Sequence, residues 1–589
     1  MLPIFFHFPA VPLQIPPALV ISANTDLVQQ GKTINLNGRQ FPIPWSQWKE
    51  GDRTRIGLGD TGARRLFGMD FISTNNPKNQ PINWFSSQNL PTRFIAPYRY
   101  LDVTDLLQQA GAEIVVAGDT LTINSQRPRV QDLTVENYGA VQRFIIQLDR
   151  PTFWQASLAK NEGVITVEGS AEDSLLARFQ PVAVSATGRS VDEDDLGSGG
   201  NSTSTRVIAL ENAGTSTKLR LNIPTGYGLQ ISSVSNPNRI VIDARPDAMD
   251  EKRIVWQEGL IWNQKYIQLQ NEWFPVTWLE IDPKNPNISL KPIAANPNAS
   301  NGTSPVVTIS SVNSAVAAIN GGFFNRNNKL PLGAIRVAGK WLSGPILDRG
   351  AIAWDDRGNF LFGRLRLQET LIANNQRFPL SHLNSGYIQS GISRYTREWG
   401  TTYTPLTDAE TIFVIERDRI TARYDKVFPK DNFPIPENGY LVIARKTDLP
   451  LAIDTPIQLD SVTSPANFAN YPHIIAAGPL LLDNGSIVLD GTIENFSKAF
   501  QDQKASRSAI ARTGDGKILL VATHNRVGGR GATLAEFARI LRQMGAVSAL
   551  NLDGGSSTSI ALGGQVIDRD PVTAANVHNG IGIFVSPSP

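Results

Sequence analysis

The chain contains no cysteine, which excludes disulfides, thiolate metal ligands and a cysteine nucleophile together. Histidine is scarce, five in 589 residues, so a metal centre built on several imidazoles has little to draw on. Neither sign of charge prevails. A formal net charge of +2 gives no reason to expect nucleic acid or an acidic membrane surface as a partner. Beyond the N-terminus, no run reaches the ~20 apolar residues of a spanning helix. The first 27 residues are apolar through Ala23 but broken by Pro3, Pro9, Pro12, Pro16 and Pro17, and they lack a positively charged start. They are expected to be a degraded or mis-started signal peptide ending near Ile21-Ser22-Ala23, the alternative being a plain tail.

Glycine (48) and proline (38) are plentiful and charged residues make up 18%, a balance that suits loop-rich β domains better than helical bundles. The length is too great for a single core and points to three or four domains. The expected architecture is an α+β catalytic domain with a mixed β-sheet core, 251–589, preceded by two mainly-β accessory domains. The first, 28–128, ends in a capped helix over Tyr100–Gly111 and a hairpin, Ala112–Ala117 and Thr120–Ile123, around Gly118-Asp119. The second, 129–250, carries period-two strands such as Val141–Leu148 and Arg239–Arg245. Within it, residues 185–206 read as a solvated acidic and Gly-Ser loop. The first unit resembles the copper-amine-oxidase N-terminal-like stalk domain, although nothing in it supplies a copper site. The second resembles the AMIN-type β-domain of bacterial envelope proteins, which implies a cell-wall address.

In the third unit the strongest helix signal is Thr533 to Met544. Thr533 and Glu536 form a capping box, Leu534, Phe537, Ala538, Leu541 and Met544 share a face, and Gly545 ends it. Strands Lys517–Thr523 and Ala546–Leu552 flank the helix. That order predicts a crossover that delivers Asp553 to the C-terminal end of a strand, where ligands gather. Asp553 is followed by Gly554-Gly555 and then Ser556-Ser557-Thr558. A carboxylate, a turn able to approach a ligand closely and three hydroxyls suit a sugar or phosphate.

Four other polar segments punctuate strand ends: Asn320-Gly321-Gly322-Phe323, Gly478-Pro479-Leu480, Arg507-Ser508-Ala509 and His524-Asn525-Arg526. Each alone has a plain reading. Asn-Gly-Gly is often a turn, an Arg before a strand is usually a surface ion pair, and a single His is more often structural than catalytic. Asn484-Gly485 reads as an ordinary hairpin turn.

Their order, with Gly531-Ala532-Thr533-Leu534-Ala535-Glu536 and Asn551-Leu552-Asp553-Gly554-Gly555-Ser556-Ser557 completing the series, resembles the phosphodiester glycosidase family. The stretch Ile392–Gly400 looks like the family too. His524-Asn525 stands where the family has Asp-Gly, Ser556 where it often has a third glycine, and Ser508 where it has Thr. The resemblance implies hydrolysis of the glycosidic bond between a sugar, such as N-acetylglucosamine, and a phosphodiester, in the periplasm or at the cell envelope of a bacterium. On that reading Asp553 is the base or nucleophile and Arg507, assisted by Arg526, clamps phosphate oxygens. Asn320 and the Gly321-Gly322 amides orient the substrate, and His524 relays a proton. Phe323, Asn551, Gly554, Gly555, Ser556 and Glu398 line the site. Glu398 and Asp483 are the spare carboxylates for an acid–base pair. No cofactor is required, and the need for a divalent cation stays open. A sugar phosphodiester is the expected partner, with peptidoglycan or another wall glycan reached through the N-terminal units. The competing readings are a non-catalytic glycan-binding envelope protein and a metal-dependent phosphodiesterase that cuts P–O.

Overall fold

A computed structural model describes residues 26–159, 161–180, 205–296, 300–387 and 389–586. The expected signal segment and most of the acidic loop at 185–206 lie outside these residues. The chain is mostly β: 52% strand and 10% helix.

Near the N-terminus, a seven-stranded and a four-stranded sheet pack together. The expected hairpin forms, with Ala117 opposite Thr120, and its second strand pairs in parallel with Thr33–Leu36. The helix expected from Tyr100 begins later, at Thr104, because Tyr98–Asp102 is a strand held between Arg53–Gly59 and Ser86–Ile95. Asp102 then turns the chain by accepting the Thr104 N–H at 3.0 Å. Sheet pairing on both sides outweighs helix propensity. The next two sheets have five and four strands. Val141–Leu148 and Arg239–Arg245 pair in one of them, tied across by Arg143 and Asp243.

These N-terminal sheets are joined to the C-terminal part. One apolar cluster runs from Ile34 to Val585. The buried Asp60 carboxylate accepts from Arg99 Nε at 2.7 Å and Trp256 Nε1 at 2.9 Å. Thr61 donates its hydroxyl to the Leu562 carbonyl at 3.0 Å.

Two sheets carry the C-terminal part. The larger has eight strands, in the order Lys252–Gln257, Leu260–Leu269, Glu272–Ile281, Ile518–Thr523, Arg507–Thr513, Ala546–Asn551, Leu480–Asp483 and Ser486–Ile487. Every neighbouring pair is antiparallel, which corrects the expected mixed sheet. The crossover exists, but Arg507–Thr513 fills the slot between the two parallel strands that it joins. The crossover helix, Leu534–Gln543, has the predicted capping box. It buries Leu534, Phe537, Ala538, Ile540 and Leu541 against a layer that includes Ala509, Leu519, Val521 and Ala549. Each of the larger ones, Leu534, Phe537, Ile540 and Leu541, contributes about 1.5–3 kcal/mol. Asn484-Gly485 is a hairpin turn, with φ of 48° and 80°.

The second sheet has five strands and includes Asn579–Val585, Ala317–Asn320 and Ile560–Leu562. Residues 366–464 form a separate lobe of smaller sheets with their own apolar clusters. The strand ends Asn320 and Asn551 come from different sheets. The candidate site is where they meet.

Candidate active site

Asn320 and Asp553 lie 233 residues apart in the chain and are stitched directly together. The Asn320 side chain donates to the Asp553 carbonyl at 2.6 Å, and its oxygen accepts from the Ser508 hydroxyl at 2.8 Å and the Ser559 N–H at 3.2 Å. The Asp553 N–H returns to the Gly321 carbonyl at 2.9 Å, and the Leu552 N–H to the Ser508 carbonyl at 2.8 Å. Asn320 is buried, with every polar atom used. It fixes the aspartate turn.

The glycine pair at 321–322 serves this packing. A Cβ on Gly321 would run into the Asn579 side chain, and one on Gly322 into the Ala476 carbonyl. Both amides are spent on Asn579, the Gly321 N–H on its carbonyl at 2.9 Å and the Gly322 N–H on Oδ1 at 2.8 Å. The expectation that these amides orient substrate is therefore corrected. Asn551 is likewise internal. Its side chain donates to the Gly478 and Leu552 carbonyls, each at 2.8 Å, although its Oδ1 is buried without a partner.

Asp553 itself stays partly exposed, beside Gly554, Gly555 and the exposed Ser556. Gly555 turns the chain there with φ of 65°. Burial pushes the Asp553 carboxyl up to about 6, against the opposing pull of Ser557, the Gly554 N–H and the charge of Arg326. A carboxyl so placed can change protonation near neutrality, as an acid, base or nucleophile requires.

Arg507 is 1% exposed. Its Nε donates to the Ala532 carbonyl at 3.0 Å and one Nη to the Gln503 carbonyl. Those bonds commit the Nε edge and leave Nη1 toward Gly554. Its charge is another matter. Burial alone drives the guanidinium down to about 10, so a buried cation stands against Gly554 with carbonyls rather than a carboxylate around it. Such a cation favours an anionic ligand. Arg526 is corrected outright. It donates to Glu536 at 2.8 Å and to the Gly531 and Arg530 carbonyls at 2.9 Å, bracing the helix cap.

Sequence reading missed a second cation. Arg349 lies 5.4 Å from the Phe323 ring and 4.4 Å from that of Phe496, and its Nε is buried without a partner. Phe323, Phe496 and Phe500 form an aromatic cluster with centroids 5.0–6.0 Å apart, and Arg507 lies over Phe500. The signal available in the sequence was two phenylalanines, Phe496 and Phe500, on either side of the Ser497 cap of the short helix Lys498–Asp502.

His524 bonds Ser506 Oγ at 3.1 Å and Asp568 Oδ2 at 2.8 Å. Arg569 then donates to the Gly555 and Thr558 carbonyls at 3.2 and 3.1 Å. Neither Asp568 nor Arg569 stood out in the sequence. The spare carboxylates fall elsewhere. Glu398 accepts from Thr396 at 2.7 Å in a small pocket with Ser300 and His578, and Asp483 ends a strand at the Asn484 turn. Among the described residues, no set of three or more His, Asp or Glu side chains gathers as a metal site, and no helix is long and apolar enough to cross a membrane.

Residues 410–584 match the family model described as phosphodiester glycosidase. A solved structure, described as a hypothetical protein from Synechocystis, is 46% identical, with 95% of this chain and 100% of that chain covered and a TM-score of 0.87. N-acetylglucosamine-1-phosphodiester alpha-N-acetylglucosaminidase of Mus musculus is 31% identical over 117 residues, 18% of this chain and 22% of that protein. The match thus spans about a fifth of the mouse protein. The catalytic domain of the zebrafish enzyme of that name, auto-inhibited by its pro-peptide, is 15% identical over 55% of this chain and 82% of its own, with a TM-score of 0.31.

Proposed function

We propose that this chain, which carries a phosphodiester glycosidase domain, hydrolyses the bond between a sugar and a phosphodiester to give free sugar and a phosphomonoester. One observation carries the reading. A carboxyl poised near 6 sits on a turn backed by a buried guanidinium that has no carboxylate partner. The reaction develops positive charge on the sugar and leaves negative charge on a phosphate, and these groups answer both demands. Phosphate is already a good leaving group, so a strong acid matters less than in an ordinary glycoside.

Asp553 meets the sugar as base or nucleophile. Arg507 and Arg349 supply positive charge for the phosphate, and the Phe323 cluster offers an aromatic face for the sugar. Asn320 acts by holding the Asp553 turn. The mouse relative's name, with N-acetylglucosamine in it, supports that sugar as the first to try. An envelope location and contact with wall glycans belong to the same reading, through the β-rich N-terminal units.

Incubation with an N-acetylglucosamine phosphodiester tests it by product. Free sugar is expected. Sugar phosphate would mean P–O cleavage instead, and binding without turnover would make the chain a glycan-binding module.

A further inference from the structure

Neither expected candidate for a second carboxylate is placed against the Asp553 turn: Glu398 lies in a pocket with Ser300 and His578, and Asp483 ends a strand at the Asn484 turn. We propose that Asp568 fills that role indirectly: with His524 and Ser506 it forms a proton relay that opens beside the Asp553 turn. The inference rests on the hydrolytic reading of the site.

Three features carry it. The relay is continuous, from Ser506 Oγ to His524 Nδ1 at 3.1 Å and from His524 Nε2 to Asp568 Oδ2 at 2.8 Å. Its inner end is fixed, since the Asp568 side chain is fully buried and its other oxygen accepts the Ile560 N–H at 2.8 Å. Its outer end lies at the turn after Asp553, since the Ser506 carbonyl accepts the Gly555 N–H at 2.8 Å and would lie 2.9 Å from a Cβ on Gly554. Ser506 and His524 are both partly exposed. The other charged groups nearby are engaged otherwise: Arg569 faces the Gly555 and Thr558 carbonyls, Arg526 faces Glu536, and Arg507 faces backbone.

The chemistry follows from the order of the groups. A carboxylate at Nε2 holds the ring proton there and leaves the Nδ1 lone pair to accept from Ser506. Asp553 attacks the anomeric carbon, and the C–O bond to phosphate breaks with its electron pair on phosphate. When water then attacks the anomeric carbon, its proton passes to Ser506 Oγ as the hydroxyl proton of Ser506 passes to His524; the new C–O bond forms, and the bond to Asp553 breaks with its electron pair on the carboxylate. Asp568 stabilises the resulting imidazolium, whose proton then returns through Ser506 to solvent. Asp568 touches no substrate and is a positioning residue; Ser506 is the group at the turn.

The test has one arm that needs no substrate. The chain has five histidines, few enough to resolve by ¹⁵N ring labelling of the full-length protein, with His524→Gln identifying the signal. The wild type is expected to carry the neutral ring proton on Nε2, and Asp568→Asn to shift the population toward Nδ1. On a sugar phosphodiester, Asp568→Asn should lower kcat by about 10²–10⁴-fold with KM little changed, and Asp568→Glu should recover part of the loss. Ser506→Ala, at a partly exposed position, gives the same kcat arm should Asp568→Asn fold poorly. An unchanged tautomer in Asp568→Asn, or wild-type kcat in Ser506→Ala, would overturn the relay. A wild type that releases no sugar would defeat the hydrolytic reading alone, because the tautomer still reports on the relay.

Discussion

Replacing Asp553 by Asn should make the protein more stable while removing its activity, and the gain should depend on pH in a calculable way. Burial raises the carboxyl from its ordinary 3.8 to about 6. A folded-state value above the unfolded one means that the native protein holds this proton more tightly. Ionisation therefore costs stability, a loss absent below 3.8 and complete above about 6. From those two values, the loss is about 1 kcal/mol at pH 4.5 and about 3 kcal/mol at pH 8. Asparagine escapes it while keeping an oxygen to accept the Gly554 N–H, which Asp553 now accepts at 2.9 Å. Unfolding in one transition the roughly 530 residues that the structure describes releases about 1.1 kcal/mol per degree of entropy, so the Asp553→Asn advantage in Tm should be roughly 2 °C larger at pH 8 than at pH 4.5. Calorimetry of both proteins at the two pH values reads this directly. In parallel, wild-type turnover should fall below about pH 6 as the carboxylate protonates. An advantage equal at both pH values would show that ionised Asp553 costs no stability, and full turnover by the variant would show that its carboxylate takes no part in hydrolysis.

Three further outcomes are expected. Arg507→Met removes a buried cation that has carbonyl partners only. It should leave stability nearly unchanged and cut phosphodiester turnover by about 10²–10³-fold; inorganic phosphate should raise the Tm of the wild type and not of the variant. Asn320→Ala orphans the Ser559 N–H, the Ser508 hydroxyl and the Asp553 carbonyl. Thermal unfolding should register a loss of about 2–4 kcal/mol, and steady-state kinetics a lower kcat through the displaced turn. Asp60→Asn strips the buried Arg99 of its charge partner and weakens the bond to Trp256. The loss should be about 3–5 kcal/mol, and a scan that shows one transition in the wild type should split as the N-terminal sheets come loose.

Much of the local structure was legible in the residues. The capping box at Thr533 and Glu536, the apolar face of the crossover helix, the Asn484-Gly485 turn and the hairpin at 112–123 all form as their patterns require. Each depends on contacts within a dozen residues, where period and turn chemistry decide the outcome. The Tyr100 helix start and the mixed sheet did not hold, and both failed for one reason. Strand neighbours from distant parts of the chain claimed Tyr98–Asp102 and the slot beside Ala546–Asn551.

By itself, the sequence determined which residue types could do chemistry. It has no thiol, few imidazoles and no dominant charge, and it places one carboxylate ahead of a glycine pair at a strand end. It also carries, in order, motifs of the phosphodiester glycosidase domain that residues 410–584 match. Only the tertiary structure decided how those residues are used. It spent the Gly321 and Gly322 amides on Asn579, turned Arg526 toward a helix cap and left Arg507 buried among carbonyls. It also brought Asp568 to His524 across 44 residues. A side chain's role depends on which partners desolvate it and which satisfy it. Those partners arrive from other strands, at separations that no local pattern encodes.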